Sequence, residues 1–152
     1  MSPLSLSIRP IRAQDVGQWR PLWAAYLEFY ETTLPQEVYE TSFARLTDPA
    51  VTDYHGRIAW EGDTALGLVH FIYHRHGWHV DPVCYLQDLF TVPGARGKGV
   101  ARGLISEVYA QADRDNAASV YWLTQDFNTR ARQLYDQVAT VTPFIKYVRS
   151  AA

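Results

Sequence analysis

An apolar run, Leu86-Gln87-Asp88-Leu89-Phe90-Thr91-Val92, passes through Pro93-Gly94 directly into Ala95-Arg96-Gly97-Lys98-Gly99-Val100-Ala101. The first half has strand composition. The second half opens a helix on which Val100, Leu104 and Val108 recur every four residues. A strand that turns through glycines into a helix forms a phosphate cradle. Gly97 and Gly99 carry no Cβ, so a ligand can lie against the backbone. The first helical turn then points N–H groups at it, with the positive end of the helix dipole behind them. Arg96, Lys98 and Arg102 add full charges at the same place.

Spacing separates the phosphate loops that this stretch could be. A P-loop requires Ser or Thr after its Lys to hold magnesium, and Lys98 is followed by Gly99. A dinucleotide fingerprint requires Gly-x-Gly-x-x-Gly, and the sixth position from Gly97 is Arg102. What remains is Arg96-x-x-Gly99-x-Ala101. It resembles the pyrophosphate loop of the GNAT superfamily of acetyl-CoA-dependent N-acetyltransferases. Tyr85 to Phe90 is similar to the fourth strand of its spermidine/spermine and histone/polyamine acetyltransferase branch. Asn128-x-x-Ala131-x-x-Leu134-Tyr135 resembles the family's second cofactor element.

The rest of the chain reads compatibly. Leu4 to Arg9 alternates apolar and polar residues and is expected to be a first strand ending at Pro10. Asp15 is placed to cap a helix on which Trp19, Trp23, Tyr26 and Tyr30 form an aromatic stripe, with Pro21 as a start or kink point. A second helix is expected from Pro35 to Leu46. Arg57–Glu61 and Leu66–His74 flank Glu61-Gly62-Asp63 as a hairpin. After a polar, aromatic loop and the cradle come a buried strand at Ser119–Thr124, the Asn128 helix and a last strand at Pro143–Val148. This order implies one α/β (α+β) domain over residues 1–152, with a mixed, mostly antiparallel sheet flanked by about four helices.

Composition narrows the partners. A net charge of −2 gives no long-range attraction to nucleic acid or anionic membrane. Cys84 is the only cysteine, which excludes an intrachain disulfide. The opening residues lack a cationic segment followed by an apolar run, and no apolar stretch is of membrane-spanning length, so a cytoplasmic enzyme is expected.

The resemblance implies acetyl-CoA as co-substrate. Its pantetheine arm would lie on the backbone of Leu89, Phe90, Thr91 and Val92. Its pyrophosphate would sit on Gly97, Lys98, Gly99, Val100, Ala101 and Arg102, with Arg96 beside it and Asn128 completing the site. The resemblance makes Tyr135 the general acid toward the departing sulfur, a role suited to a phenol that is protonated at neutral pH. The alternative for Tyr135 is a core position beside Leu134 and Val138, and for Asn128 a plain helix cap.

The general base is less direct. Polyamine acetyltransferases carry a glutamate where this chain has Gln87, and an amide accepts no proton. Asp88 is the nearest carboxylate, but neighbours on a strand face opposite ways unless a bulge intervenes. Its alternatives are a buried aspartate that fixes such a bulge, or proton transfer through water to Asp88, Asp81, Glu28 or Glu31. Tyr26, Glu28, Tyr30, Trp78 and Asp81 are expected to receive a small cationic amine, through charge and aromatic faces. A metal site among His70, His74, His76, His79 and Cys84 matches no closed zinc spacing, so no metal is expected. A homodimer is expected from the resemblance. The contrasting function is a non-catalytic acetyl-CoA sensor or a structural dimer module that keeps the fold.

Overall fold

The computed structural model describes residues 5–151, so Leu4 of the expected first strand and the opening Met1-Ser2-Pro3 lie outside it. The chain divides into two compact units, residues 1–122 and 123–152. Among the described residues no helix is long and apolar enough to cross a membrane.

The first unit is a five-stranded sheet in the order β1 (Ser7–Pro10), β2 (Tyr54–Glu61), β3 (Thr64–His74), β4 (Val83–Thr91) and β5 (Val120–Tyr121). All neighbours are antiparallel except β4 and β5, which run parallel. The mixed, mostly antiparallel sheet is as expected. The β2–β3 turn is Gly62-Asp63, and Gly62 takes a φ of 59°, which costs a residue without Cβ nothing.

α1 (Val16–Phe29) and α2 (Gln36–Thr47) cover one face of the sheet. Trp19, Leu22 and Trp23 of α1 close a core with Ile58, Trp60, Leu68 and Phe90, and Val38, Tyr39 and Phe43 of α2 pack beside them. The aromatic stripe thus supplies the core at its N-terminal end and emerges toward solvent at Tyr30. The helix runs through Pro21. Asp15 stands at its N-cap, but its carboxylate accepts the Arg12 N–H (2.8 Å) and caps the preceding 3-10 turn instead.

α3 (Val100–Arg114) covers the other face, burying Val100, Leu104, Ile105 and Val108. It can settle close because Gly67 offers no side chain there: a Cβ would lie 2.8 Å from Val100 Cγ1 and 2.5 Å from the Phe90 carbonyl oxygen. The buried Arg57 of β2 ties α3 down, donating to Gln111 Oε1 (3.1 Å) and pairing with Glu107 (3.5 Å).

Two expectations are corrected. The fifth strand is not Ser119–Thr124 but only Val120–Tyr121, which pair with Cys84 and Tyr85, and the residues after Tyr121 form no ladder with the rest of β4. The expected last strand, Pro143–Val148, has no regular structure, and Phe144, Ile145, Tyr147 and Val148 are exposed. Alternating apolar residues make a strand only where a neighbouring strand takes up the backbone hydrogen bonds, and the second unit contains none among its described residues.

The second unit carries α4 (Thr129–Val138). Asn128, Ala131, Arg132, Tyr135 and Val138 are half-buried along one helical face. Asn128 occupies the N-cap position without a side-chain cap bond, so plain capping does not explain it.

Candidate active site

The site begins where β4 parts from its neighbour. β4 is paired to β5 only at Cys84 and Tyr85, so the edge from Leu86 to Thr91 carries no ladder on that side. Backbone groups of Leu89, Phe90 and Thr91 that alternate toward this edge are therefore offered to a ligand. The Thr91 hydroxyl is buried without a partner in the chain. An orphaned buried donor beside an open strand edge fits a ligand rich in amides and hydroxyls.

Val92 and the 3-10 turn Pro93–Ala95 lead from this edge into the cradle. Gly97 and Gly99 take φ of 80° and 82°, and nothing stands within 4 Å of where their Cβ atoms would be. Backbone strain therefore requires glycine here, and the empty space lets a phosphate reach the chain. The first helical bond of α3 is Gly103 N–H to Gly99 oxygen (3.0 Å), and no side chain caps the turn. Val100 and Ala101 accordingly direct their N–H groups out of the helix end. Arg96, Lys98 and Arg102 are exposed around it, with the Arg96 guanidinium 5.8 Å from the Phe29 ring. These residues fit a pyrophosphate.

The acceptor side is organised by a β-bulge. Opposite β3, His70 pairs with Asp88 and Phe71 with Leu86, so Gln87 is the extra residue. The bulge sends both Gln87 and Asp88 to the face covered by α1 and α2: Asp88 meets His70 and Tyr26, while Gln87 lines a groove with Tyr54 and Ile72. The geometric objection to Asp88 as a cleft carboxylate is thereby removed. The same bonding also fixes the bulge, so the two readings of Asp88 describe one arrangement.

Asp88 is 6% exposed and its Oδ2 accepts from His70 Nδ1 at 2.9 Å. His70 Nε2 in turn accepts the Trp19 indole N–H at 3.0 Å. The Tyr26 hydroxyl lies beside the same carboxylate, and Tyr30, Tyr54 and Tyr85 lie within its field. Burial, reinforced by the Asp88 charge, pushes the phenols of Tyr26, Tyr30 and Tyr54 upward. Tyr85 moves the same way through burial, then Tyr121, then Asp88. All four remain neutral donors at physiological pH, with ring faces available to a cation. Tyr26 also packs on Tyr30 (5.1 Å between ring centroids) and on Phe90 (6.2 Å).

Beyond Tyr54 lies a groove of about 500 Å³ lined by Ser42, Arg45, Asp53, Ile72 and Gln87 among others. Tyr54 feels Asp88 and the Arg45 guanidinium with opposite sign, so a carboxylate and a cation flank it. A wider concavity of about 650 Å³ runs on from Tyr54 to Tyr73, Gln111 and Asp115. It contains none of Ser42, Arg45, Ile72 and Gln87 and runs away from the bulge, so it is left out of the site.

The structure thus gathers Tyr26, Tyr30 and Asp88. Glu28, Glu31 and Asp81 are exposed, and Trp78 is 87% exposed with His76 as its ring neighbour. None of these four joins the network around Asp88. Tyr54, Tyr85, Arg45 and Trp19 join the site without any sequence pattern that marks them for it. The histidines are scattered: His70 is in the core, His74 bonds the Tyr121 hydroxyl (2.7 Å), and His76 packs against His79. Among the described residues no three His, Cys, Asp or Glu groups gather as a metal site. Burial pushes the Cys84 thiol up to about 12, which makes it a poor nucleophile and ligand.

Comparison with known proteins gives this geometry a family. The acetyltransferase (GNAT) family model matches residues 19–139. The chain is 40% identical over 145 residues to D-amino-acid N-acetyltransferase HPA3 of Saccharomyces cerevisiae, covering 94% of this chain and 89% of that protein. It is 32% identical over 84 residues to thialysine N-epsilon-acetyltransferase of Caenorhabditis elegans, covering 55% and 52%. In fold it is similar to AAC(6')-Iy in complex with the bisubstrate analogue CoA-S-monomethyl-acetylneamine, with a TM-score of 0.84, 18% identity and coverage of 97% and 99%.

Proposed function

Because the chain belongs to the acetyltransferase (GNAT) family, we propose that it moves the acetyl group of acetyl-CoA directly to the primary amine of a small, amino-acid-like acceptor in a ternary complex. The observation that carries this reading is the bulge at Gln87. It turns Asp88 to the face covered by α1 and α2, beside Tyr26 and three residues before Thr91, where the open β4 edge leads to the glycine cradle.

Bound acetyl-CoA supplies the acetyl thioester, held by the β4 edge, Thr91 and the loop from Arg96 to Arg102. The acceptor arrives as an ammonium ion. The tyrosine faces and Asp88 attract it, and Asp88 takes its proton, directly or through one water, to leave a nucleophilic amine. Tyr135 is the proposed acid that donates a proton to the departing thiolate, and Asn128 assists on the same helical face. The nitrogen therefore sheds two protons: Asp88 takes the first before attack and passes it to solvent, and the second, lost as the amide forms, balances the one that Tyr135 gives to the sulfur.

The two named relatives acetylate D-amino acids and thialysine, and Arg45 offers an acceptor carboxylate a cation beyond Tyr54. Arg45→Ala is expected to raise KM for an amino-acid acceptor roughly five- to tenfold, as loss of an exposed charge-assisted contact does, with KM for spermidine unchanged. Equal effects on both acceptors would remove Arg45 from recognition.

The whole reading is tested by thiol release from acetyl-CoA against D- and L-amino acids, thialysine, spermidine and an aminoglycoside, with Tyr135→Phe in parallel. Turnover on one class, reduced in the variant by roughly 10- to 100-fold in kcat, is the expected result. Saturable acetyl-CoA binding without turnover on any amine would argue for a sensor.

A further inference from the structure

His70 is the most completely enclosed polar side chain of the sheet, with none of its surface exposed. Three rings confine it, with centroids at 6.1 Å (Trp19), 5.5 Å (Trp23) and 5.8 Å (Tyr54), and Tyr39 of α2 backs both tryptophans. Gly56 leaves the space its ring needs, since a Cβ there would stand 3.1 Å from His70 Cδ2. The groups that face it are therefore Trp19 and Trp23 of α1, Tyr54 of β2 and Asp88 of β4.

Hydrogen-bond chemistry fixes the proton on this ring. An indole N–H only donates, so the His70 Nε2 that it meets at 3.0 Å must offer a lone pair. The single ring proton then resides on Nδ1, 2.9 Å from Asp88 Oδ2. Trp19, His70 and Asp88 form a chain of donors that all point toward the carboxylate. Such chains polarise in one direction and steady the ionised acceptor.

Resting on the acceptor-site reading above, we infer that His70, locked in its Nδ1–H tautomer by Trp19, is a positioning residue that holds Asp88 as the proton acceptor of the reaction. By occupying Oδ2 it fixes the plane of the carboxylate and leaves the other oxygen for the incoming ammonium. The proton passes from the ammonium nitrogen to that oxygen, giving a neutral amine and a carboxylic acid, and returns to solvent after turnover. His70 does not exchange its own proton. A histidine kept only for packing would satisfy the same bonds but would leave the chemical step alone when changed.

Two measurements decide this. Nitrogen-15 NMR of the wild-type protein's histidine side chains should show the His70 ring as the Nδ1–H tautomer. An Nε2–H form would overturn the inference, whatever the activity. Kinetically, His70→Leu should lower kcat about 30-fold with KM for both substrates near wild type. Part of a 10²- to 10⁴-fold base contribution is lost. His70→Gln, which can still donate to Asp88, should recover most of it, and Trp19→Phe should fall between. The deficit should shrink as pH approaches the pKa of the acceptor amine, where solvent supplies the free base. A deficit that is the same at every pH, or one confined to KM, means a structural role and sinks the inference. If wild type acetylates amines and the variants match it, only this inference fails. If wild type acetylates none, the transferase reading fails and takes this one with it.

Discussion

Asp88→Asn is expected to lower kcat by roughly 10²- to 10³-fold while leaving KM for acetyl-CoA within about twofold of wild type. The argument rests on how little else the substitution changes. Asparagine has the same shape, and its carbonyl oxygen can still accept the His70 Nδ1–H now at 2.9 Å from Asp88. The bulge at Gln87 and the ring cage around His70 therefore persist. Only the capacity to take a proton is lost, together with the charge that draws an ammonium ion to Tyr26 and Tyr30. The amine KM should rise and the cofactor KM should not, because the cradle from Arg96 to Arg102 lies on other residues. Initial-rate kinetics with each substrate varied in turn measure this, with circular dichroism to verify the fold. A variant retaining a third of wild-type kcat would move the base elsewhere. Exposed Glu28, Glu31 or Asp81, acting through water, would be the next to test.

Gly67→Val should produce the largest loss of stability from a single side chain, about 3 kcal/mol or more by overpacking. The position is on β3, beneath the first turn of α3. Even a bare Cβ would come within 2.5 Å of the Phe90 carbonyl oxygen and 2.8 Å of Val100 Cγ1. Backbone cannot yield as a flexible side chain can, so either β4 or the helix start must move. Both carry the proposed cofactor site, so the surviving folded protein should also bind acetyl-CoA more weakly. Gly94→Ala is the control, since nothing lies within 4 Å of a Cβ there and its φ is not positive. Urea unfolding followed by tryptophan fluorescence should show a lower midpoint for Gly67→Val at unchanged slope, with Gly94→Ala indistinguishable from wild type. Equal midpoints for the two variants would mean that α3 is not seated on Gly67.

Much of the site is legible in the residues themselves. Gly97, Gly99 and Arg96 announce the cradle because its demands are local: a positive φ, no Cβ and a helix start within a few positions. Tyr26 and Tyr30 share a face by helical spacing alone. Tyr54 carries no such signal, since a tyrosine at the start of a strand is ordinary until β3 and α2 are packed beside it. In the sequence His70 is one of several histidines. Its partner Trp19 is 51 residues away and reads as one more core aromatic. The aromatic loop at Trp78 shows the converse, a segment with recognition chemistry in its composition whose tryptophan stays exposed beside the His76 ring.

The family, the order of strands and helices up to the cradle helix, and the glycine backbone of the cradle all follow from the amino-acid order, because each depends on residues within one turn or one strand of each other. The direction in which Asp88 faces follows from the packed sheet alone. Side chains alternate along a strand, so a single extra residue reverses every side chain beyond it, and whether that residue is extra depends on the pairing with β3. The same holds at the chain's later strands. Val120–Tyr121 stops short because the chain beyond Tyr121 forms no ladder with the β4 edge, and Pro143–Val148 forms no strand at all. A strand is a property of two segments, and one segment's sequence describes only half of it.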